Sequence, residues 1–438
     1  MVEIAPFRAI LYNKEKVKNL DDVMSPPYDI ISEEMQIKLY EKNPYNYVKI
    51  ILGKQFPDDT ETNNRYTRAQ QLFAKWQHDG VFIQSDKPAI YPYKITFDVA
   101  DETKTFNGFF VILKLDPTYT LVKAHEKTLS KPKADRLQLM RACNAHLEPI
   151  ELLYIDKKDD IRKLIDENIH KNKPFINVHG YDGFHHKLWR IEDEKIIQKI
   201  VEKLKKEPLY IADGHHRYQT ALNYAQEQKE KTKNTSPDAP FNYQMVVLAN
   251  MYDDGLAILP THRLIKMPNF NLQTLLKKLE PFFVVEEKTV DAEKNASELG
   301  DTIMKSIKTE REHKFALYHK KKYYILTLKS EAIMDTLAAD HSKTWRTLDV
   351  SILHKVVLEK TMGITERNLE DHVKYTRSNS EAVDLVDKGR FDLSFLINAT
   401  KIEQLQAIAD ASEHMPQKST YFLPKMLSGL VIYSMDKK

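Results

Sequence analysis

The chain has 438 residues, and 66 lysine and arginine residues against 63 aspartate and glutamate residues give a net charge of +3. This balance argues against a dedicated nucleic-acid-binding protein, which usually has a strong basic excess or a basic face. The single cysteine, Cys143, excludes an internal disulfide and a cysteine-rich metal site. The first residues do not resemble a signal peptide, and no apolar run is long enough to span a bilayer. We therefore expect a soluble, cytoplasmic protein of about two or three domains.

The first part of the chain, to about residue 55, predicts strands and helices separated by proline turns. In Ser25-Pro-Pro-Tyr-Asp29, two prolines force an extended or turn backbone. Tyr28 and Asp29 either present a hydroxyl and a carboxylate to a cleft or belong to a rigid connector. Asn43-Pro-Tyr-Asn46 then ends a helix, and Tyr47 to Leu52 predicts a strand.

The next segment predicts a helix and a hairpin. Apolar side chains at helical spacing in residues 62 to 79 predict an amphipathic helix. The segments Ile90 to Phe97 and Phe106 to Leu113 predict two strands of a hairpin. Gly108, inside the second strand, indicates a bulge or a close backbone approach.

Charged and polar side chains are concentrated between residues 122 and 136, between a predicted strand and a predicted helix. His125 and Glu126 precede several cations, and together they offer a base and phosphate ligands, which phosphoryl transfer needs. A solvated charged loop is the alternative. The candidate residues of this segment are His125, Glu126, Thr128, Lys131, Lys133 and Arg136.

The most informative segment is Ile211-Ala-Asp-Gly-His-His-Arg-Tyr-Gln-Thr-Ala221. The apolar run from Pro208 to Ala212 predicts a buried strand, and Gly214 permits a sharp turn after it. The helical spacing that follows places two histidines and an arginine in a first helical turn, where N–H groups and the helix dipole favour an anion. An ordinary corner with an exposed basic turn is the alternative. The candidate residues are Asp213, Gly214, His215, His216 and Arg217.

The remaining segments predict further strands and helices. Residues 149 to 155 and Met245 to Met251 predict strands, and the polar segment Gln226 to Pro240 predicts a loop. Leu259-Pro-Thr-His-Arg263 places a histidine and an arginine near a strand end, where they either complete a pocket or cap a connection. Beyond about residue 268 the polar motifs are sparser, and Thr347 to Val357 predicts a helix.

The segment from Asp213 to Ala221 resembles the signature of the ParB/sulfiredoxin superfamily, in which Gly-x-x-Arg-x-x-Ala opens a helix that binds nucleotide phosphates. Gly214, Arg217 and Thr220, with Ala221 beside it, fill this pattern approximately. Free-serine kinases of that superfamily use a similar segment for nucleotide and an upstream glutamate as base. Further blocks resemble a widespread domain-of-unknown-function family over nearly the whole chain: residues 25–29, 43–46, 125–128 with 133–136, 259–263 and 415–425.

The resemblance implies an α/β or α+β fold. Residues 1–266 would form a ParB/sulfiredoxin-like nucleotide-binding domain with insertions, and residues 267–438 a smaller C-terminal α/β domain. The implied activity is magnesium-dependent phosphoryl transfer from ATP or ADP to the hydroxyl of free L-serine, which gives O-phosphoserine. The expected partners are a nucleotide and a small amino acid, with no membrane and no nucleic acid.

The resemblance also implies residue roles. Glu126 would accept the hydroxyl proton, and Asp213 would bind the metal. The other catalytic candidates are His125, Asp213 and His216. The nucleotide-binding candidates are Gly214, His215, Arg217, Arg136, Lys133 and Lys131. The substrate-binding candidates are Tyr28, Asp29, Thr128, His262 and Arg263.

Two other classes of protein are alternatives to a kinase. One is a ParB-like nucleotide-dependent binding module, which the near-neutral charge disfavours. The other is a metal-dependent nuclease. The sequence contains no Walker-type Gly-x-x-x-x-Gly-Lys-Ser/Thr segment, which excludes a P-loop kinase.

Overall fold

A computed structural model describes residues 1–99, 102–126, 130–290, 294–309 and 311–436. The chain is a mixed α/β protein whose residues form two compact units. The first unit comprises Met1–Ala124, Thr128–Ala257 and Pro424–Lys438, and the second comprises His125–Lys127 and Ile258–Leu423. The predicted division into domains between residues 266 and 267 stays a prediction.

Strands and helices alternate through much of the chain. The strands are β1 Ile4–Ala5, β2 Ile10–Tyr12, β3 Phe82–Gln84, β4 Tyr91–Val99, β5 Glu102–Lys114, β6 Val122–Lys123, β7 Ala145–His146, β8 Ile150–Tyr154, β9 Ile176–His179, β10 His185–Leu188, β11 Leu209–Asp213, β12 Tyr243–Asn250, β13 Ala257–Ile258, β14 His262–Ile265, β15 Phe283–Thr289, β16 Lys314–His319, β17 Lys322–Leu328, β18 Val373–Thr376, β19 Leu393–Leu396, β20 Phe422–Leu423 and β21 Tyr433–Ser434. The α-helices are α1 Glu33–Lys42, α2 Val48–Ile51, α3 Arg65–His78, α4 Ser130–Cys143, α5 Asp160–Ile169, α6 Glu194–Leu204, α7 His215–Thr232, α8 Leu272–Leu279, α9 Ala296–Ile307, α10 Ala332–Leu337, α11 Lys343–Arg346, α12 Asp349–Ile352, α13 Leu369–His372, α14 Asn379–Asp387 and α15 Ile402–Asp410. Short 3-10 helices occupy Leu20–Asp22, Tyr28–Ile30 and Pro240–Asn242, and a π-helix occupies Leu353–Thr361.

The first unit is built on a large mixed sheet. Its described strands follow the order β6-β11-β8-β12-β5-β4-β10-β9, with β1 paired to β5. β8 is antiparallel to β11 and parallel to β12. Isoleucines of α5 and α6 pack with Ile150 and Leu152 of β8 in one apolar core. β8 and β11 are thereby held as neighbouring inner strands of the sheet.

Several predicted elements of the first unit are confirmed. The amphipathic helix is α3, with Ala69, Phe73 and Trp76 buried. The predicted hairpin strands are β4 and β5, which pair antiparallel. A Cβ at Gly108 would lie 2.8 Å from Val247 Cγ1, so this glycine allows the close approach that the sequence indicates.

Two predictions in this unit are wrong. Tyr47 to Leu52 is not a strand, because Val48–Ile51 forms the short helix α2. The Asn46 side chain accepts the Val48 N–H at 3.0 Å and starts the helical turn, and a short apolar run fits a buried helix as well as a strand. The predicted loop from Gln226 is also shorter than expected. Helix α7 continues to Thr232, because glutamine, glutamate and lysine are good helix formers.

The second unit has its own sheet and its own core. Six described strands form a sheet in the order β15-β17-β16-β19-β14-β18, and each neighbouring pair is antiparallel. Side chains of α9 and α14, among them Ile303 and Val383, pack with Leu264 of β14 in an apolar cluster. The helix predicted from Thr347 begins as α12, but it continues as a π-helix, which the sequence pattern does not predict. In the described parts of both units, no helix is long and apolar enough to cross a membrane.

Candidate functional site

The central motif forms the predicted strand, turn and helix. The pairing of β11 with β8 shifts register between Ile211 and Asp213, where β11 ends. Gly214 follows with a φ of 98°, in the left-handed region that favours glycine. A Cβ at Gly214 would lie 3.2 Å from both Arg217 Nε and Ile150 Cγ1. The turn therefore needs glycine both for its backbone and for the position of Arg217.

Helix α7 begins directly after this turn. It has 18 residues, and Gly214 gives its N-terminus no side-chain cap. His215, in the first turn, is buried, and His216 is half-buried. The first N–H groups of a helix have no partner within the helix, and the helix dipole is positive there. This end of α7 therefore favours an anion.

Two cations converge on Asp213. Arg217 Nη2 donates to Asp213 Oδ2 at 2.5 Å, and Lys425 Nζ donates to Oδ1 at 2.6 Å. Arg217 Nη1 also donates to the Pro149 carbonyl oxygen. Burial alone would raise the pKa of Asp213, but Lys425 and Arg217 outweigh it and hold this pKa below its ordinary value. Asp213 is therefore an ionised carboxylate that orients two cations.

A second carboxyl group lies beside this ionic cluster. Glu151 pairs with Asp213 across β8 and β11 and is buried. No described residue forms a hydrogen bond with its Oε1 atom. Burial raises the pKa of Glu151 to about 8, although Lys425 nearby lowers it. Like charges directly opposite one another are unfavourable in a sheet. The pair therefore contains one ionised and one mostly protonated carboxyl group at neutral pH. A small cavity beside these two carboxyl groups is lined by Pro27, Pro149, Glu151, Asp213, Arg217, Lys425, Met426 and Ser428.

Arg136 and Tyr28, both candidates from the sequence, lie together in the first unit. The guanidinium carbon of Arg136 is 3.9 Å from the centre of the Tyr28 ring. Arg136 Nη2 lies 2.6 Å from Asp135 Oδ2, and its Nη1 lies 3.4 Å from Glu148 Oε2. The Tyr28 N–H donates to Glu148 Oε1 at 3.0 Å. Arg136 and Arg217 line one further cavity with Glu148, so these groups belong to a single polar region of the unit.

His125 and Glu126 belong to the second unit. Glu126 forms a parallel bridge with Met415, whose N–H donates to the His125 carbonyl oxygen at 2.8 Å. His125 Nε2 lies 3.0 Å from Thr420 Oγ1. His125 and Glu126, which are far from Met415 and Thr420 in the sequence, therefore contact them within this unit.

His262, expected to bind substrate, has a structural environment in the second unit. Its Nδ1 accepts the Ile397 N–H at 3.3 Å, and its Nε2 lies 2.8 Å from Asn379 Oδ1. Burial lowers the pKa of His262 to about 4, so the ring is neutral. Because both ring nitrogens have protein partners, this arrangement does not fit the expected substrate contact. Arg263, next to it in β14, is fully buried.

The other candidates are more peripheral or undescribed. Asp29 is exposed beside Tyr28, and Lys133 is half-buried in α4. Thr128 and the side chain of Lys131 lie outside the described residues, and the predictions for both stay predictions.

The expected metal role of Asp213 does not fit this arrangement. Both of its carboxylate oxygens accept hydrogen bonds from cations, so a magnesium ion would have to displace Arg217 or Lys425. Across the residues that the structure describes, no three or more His, Cys, Asp or Glu side chains form a group that could hold a metal ion. Magnesium dependence remains a prediction from the sequence resemblance.

Sequence reasoning missed three residues of the ionic cluster. Glu151 had a usable signal, because it is the only acid in an otherwise apolar predicted strand. Glu148 had none, and Lys425 had only its place in the family-like block of residues 415–425, which assigns it no partner. Lys425 reaches Asp213 across 212 residues of chain, and no local pattern predicts such a contact.

Fold and site define a mixed α/β protein with a buried ionic cluster at the start of a long helix. The chain belongs to the family described as protein of unknown function (DUF1015), whose family model matches residues 4–351. No curated protein matches the sequence closely enough to count as a relative.

Three similar solved structures are a free serine kinase, a conserved hypothetical protein and SbnI. A free serine kinase variant in complex with ADP has a TM-score of 0.36 and 14% identity, covering 72% of this chain and 87% of that chain. A conserved hypothetical protein from Pyrococcus furiosus has a TM-score of 0.33 and 14% identity, covering 72% of this chain and 90% of that chain. SbnI with a C-terminal truncation, from Staphylococcus aureus, has a TM-score of 0.35 and 9% identity, covering 74% of this chain and 86% of that chain.

Proposed function

We propose that the chain is a nucleotide-dependent phosphotransferase with a ParB/sulfiredoxin-like nucleotide site at the start of α7. The observation that carries this proposal is the convergence of Arg217 and Lys425 on Asp213 beside a helix N-terminus without a side-chain cap. Asp213 shares its negative charge between Arg217 and Lys425, and the positive end of the α7 dipole lies beside them, so a phosphate would add a second acceptor for both cations. Guanidinium, ammonium and helical N–H groups are the donors that phosphate oxygens prefer.

Asp213 has a preparatory role in this proposal. It holds Arg217 and Lys425 in place before the nucleotide arrives, and a phosphate group then offers both cations a second charge-assisted partner. Donors that are already ordered lose less conformational freedom on binding, so the phosphates bind more tightly. Gly214 contributes by leaving room for the Arg217 guanidinium beside the turn.

The proposed acceptor is the hydroxyl of free L-serine, which follows from the sequence resemblance to free-serine kinases. ATP or ADP would be the donor. Glu126 is the proposed base: it takes the hydroxyl proton while the serine oxygen bonds to the terminal phosphorus and the shortened nucleotide leaves. A positioned base contributes about 100- to 10,000-fold to such a step.

Phosphorus NMR tests this proposal directly. The purified chain is incubated with magnesium and ATP or ADP, and with a panel of free amino acids. We expect a new phosphomonoester signal with L-serine, which Arg217→Ala should slow strongly. Arg141→Ala is the matched control, because Arg141 pairs with Glu227 at a more exposed position. Nucleotide binding without any phosphorylated product would favour the ParB-like binding module instead.

A further inference from the structure

The second unit contains a fully buried arginine. Arg263 lies in β14 and is 0% exposed. Within the described ranges, no aspartate or glutamate forms an ion pair with its guanidinium. Burial lowers the pKa of Arg263 to about 10, so the group is still charged at neutral pH. A buried charge normally has a counter-charge, because an isolated one is costly to remove from water.

The protein satisfies this guanidinium only in part. Nη1 donates to the Thr261 carbonyl oxygen. Nη2 lies 3.4 Å from both His354 Nε2 and the Lys418 carbonyl oxygen, which are long distances for hydrogen bonds. Nε has no hydrogen-bond partner among the described residues. The Nε and Nη2 edge, which pairs with two oxygens of a carboxylate or phosphate, is therefore weakly occupied.

A second unsatisfied donor lies on the neighbouring strand. Tyr375 of β18 pairs with Arg263 across the sheet, and its ring centre is 5.6 Å from the guanidinium carbon. In the part of the chain that the structure describes, the buried Tyr375 hydroxyl also has no hydrogen-bond partner. Burial raises the pKa of Tyr375, against the effect of Arg263, so the hydroxyl keeps its proton and can donate it.

His354, beside Arg263, lies in a helix of unusual backbone geometry. It lies in the π-helix Leu353–Thr361, and π-helical turns are frequent at functional sites. Burial, and then Arg263, lowers the pKa of His354, so the imidazole is neutral and adds no competing positive charge. The carbonyl oxygen of Lys418 lies on the other side of Arg263 Nη2. Because Lys418 is exposed, this edge of the guanidinium is close to the protein surface.

We propose that Arg263 and Tyr375 form a binding site for a small oxyanion within the second unit. The Nε and Nη2 groups would donate to two oxygens of one carboxylate or phosphate group, and the Tyr375 hydroxyl would donate to one of them. The site does not depend on the phosphotransfer proposed above, because it concerns only groups of the second unit. A free amino acid would supply a carboxylate, and inorganic phosphate or a nucleotide would supply a phosphate.

The first test observes the arginine itself. The full chain, labelled with nitrogen-15 in arginine, is titrated separately with inorganic phosphate and L-serine, against sodium chloride at matched ionic strength. We expect one buried Nε–H signal to shift saturably in one of the two arms and not with chloride. The responding arm identifies the oxyanion. No saturable shift in either arm, or an equal shift with chloride, would overturn the proposal.

The second test assigns the effect by substitution. Calorimetry should show that Arg263→Gln weakens binding of the active oxyanion by roughly 10- to 100-fold, the effect of one lost charge-assisted hydrogen bond. Tyr375→Phe, which keeps the ring, should weaken it several-fold. Arg346→Gln is the matched control in the same unit, because Arg346 already has Asp335 as partner at 3.1 Å. Unchanged affinity in the folded Arg263→Gln and Tyr375→Phe variants would place the anion elsewhere and overturn the assignment.

Discussion

The neighbouring carboxyl groups of Asp213 and Glu151 differ in protonation because they have different partners. They face each other across two strands, yet Arg217 and Lys425 both bond to Asp213. Glu151 keeps an Oε1 atom to which no described residue bonds. The same ionic cluster therefore lowers one pKa and leaves the other raised by burial.

Glu151 should make the protein less stable as pH rises. Its pKa is about 8 in the folded chain against 4.5 for an ordinary glutamate, so between these values the folded state binds more protons than the unfolded state. The free energy of unfolding then falls with pH, by at most about 1.4 kcal/mol per pH unit from this group. We expect Glu151→Gln to remove this slope and to be the more stable form at pH 8. Urea unfolding at several pH values measures it, with exposed Glu61→Gln as control. Parallel profiles for parent and variant would contradict the prediction.

Arg217 should dominate nucleotide affinity. A charge-assisted hydrogen bond to phosphate contributes about 1.5 to 3 kcal/mol, so Arg217→Ala should weaken nucleotide binding by roughly that amount. Arg217→Lys should restore it only in part, because lysine lacks the planar fork of the guanidinium. Calorimetry with ADP measures both variants. If the alanine variant binds as tightly as the parent, α7 does not hold the phosphates.

Glu126 should affect turnover without affecting nucleotide affinity. Glu126→Gln preserves shape and removes the base, so turnover should fall by about 100- to 10,000-fold. Nucleotide affinity should stay nearly constant or improve slightly, because a negative charge is lost. Measuring both quantities on one variant separates a base from a solvated surface glutamate, for which neither would change.

The sequence predicted much of the site but not its connections. Asp213, Gly214 and Arg217 are close in the chain, so their turn can be inferred from local spacing. Lys425 and Glu151 reach the same place through sheet pairing and a returning C-terminal segment. Such contacts depend on how distant segments fold together, and one sequence contains no direct record of that.

At the scale of elements, the turn between β11 and α7 sets the geometry of the site. Gly214 places the first turn of α7 beside Asp213. A Cβ at this position would lie only 3.2 Å from Arg217 Nε. The elements with long, periodic patterns, such as α3, were predictable. The short helix α2 was not, because its four residues, three of them buried, fit either periodicity, and the hydrogen bond from the Val48 N–H to the Asn46 side chain cannot be read from the spacing.

Gly214→Ala should cost more than backbone strain alone. A non-glycine residue at this positive φ costs about 1–2 kcal/mol, and the new Cβ would also push Arg217 away from Asp213. We expect lower stability and weaker nucleotide binding. Gly183→Ala is the matched control, because Gly183 has a φ of 80° and nothing within 4 Å of its Cβ position. Equal nucleotide affinity in the two variants would show that the contact with Arg217 is unimportant.

At the scale of the whole molecule, each unit is assembled from separate stretches of chain. The first unit takes back Pro424–Lys438 after the chain has formed the second unit. There, β21 pairs with β7, and Ile432 forms a bridge with Ile10. A sequence-based boundary assumes continuous segments, so it could not anticipate this return.

Lys425 should connect this returning segment to the stability of the first unit. Lys425 is buried, and its removal leaves Arg217 as the ion-pair partner of Asp213 among the described residues. Lys425→Met should lower the free energy of unfolding by about 1–3 kcal/mol at neutral pH, because Asp213 loses one charge-assisted hydrogen bond and keeps Arg217. The loss should become smaller at low pH. The pKa of Asp213 is lowered in the folded chain, so its ion pairs stabilise the fold only while this carboxylate is ionised. Urea unfolding measures it, with exposed Lys199→Met as control. A loss of the same size for both variants would rule out a specific role for the ion pair.

The long separation between Asp213 and Lys425 has a consequence during synthesis. Asp213 leaves the ribosome 212 residues before its second cationic partner exists. At roughly 5–20 residues per second, this interval lasts about 10 to 40 seconds. During this interval Lys425 is not yet available to Asp213, so a chain that stalls before residue 425 lacks the second cation of the ionic cluster.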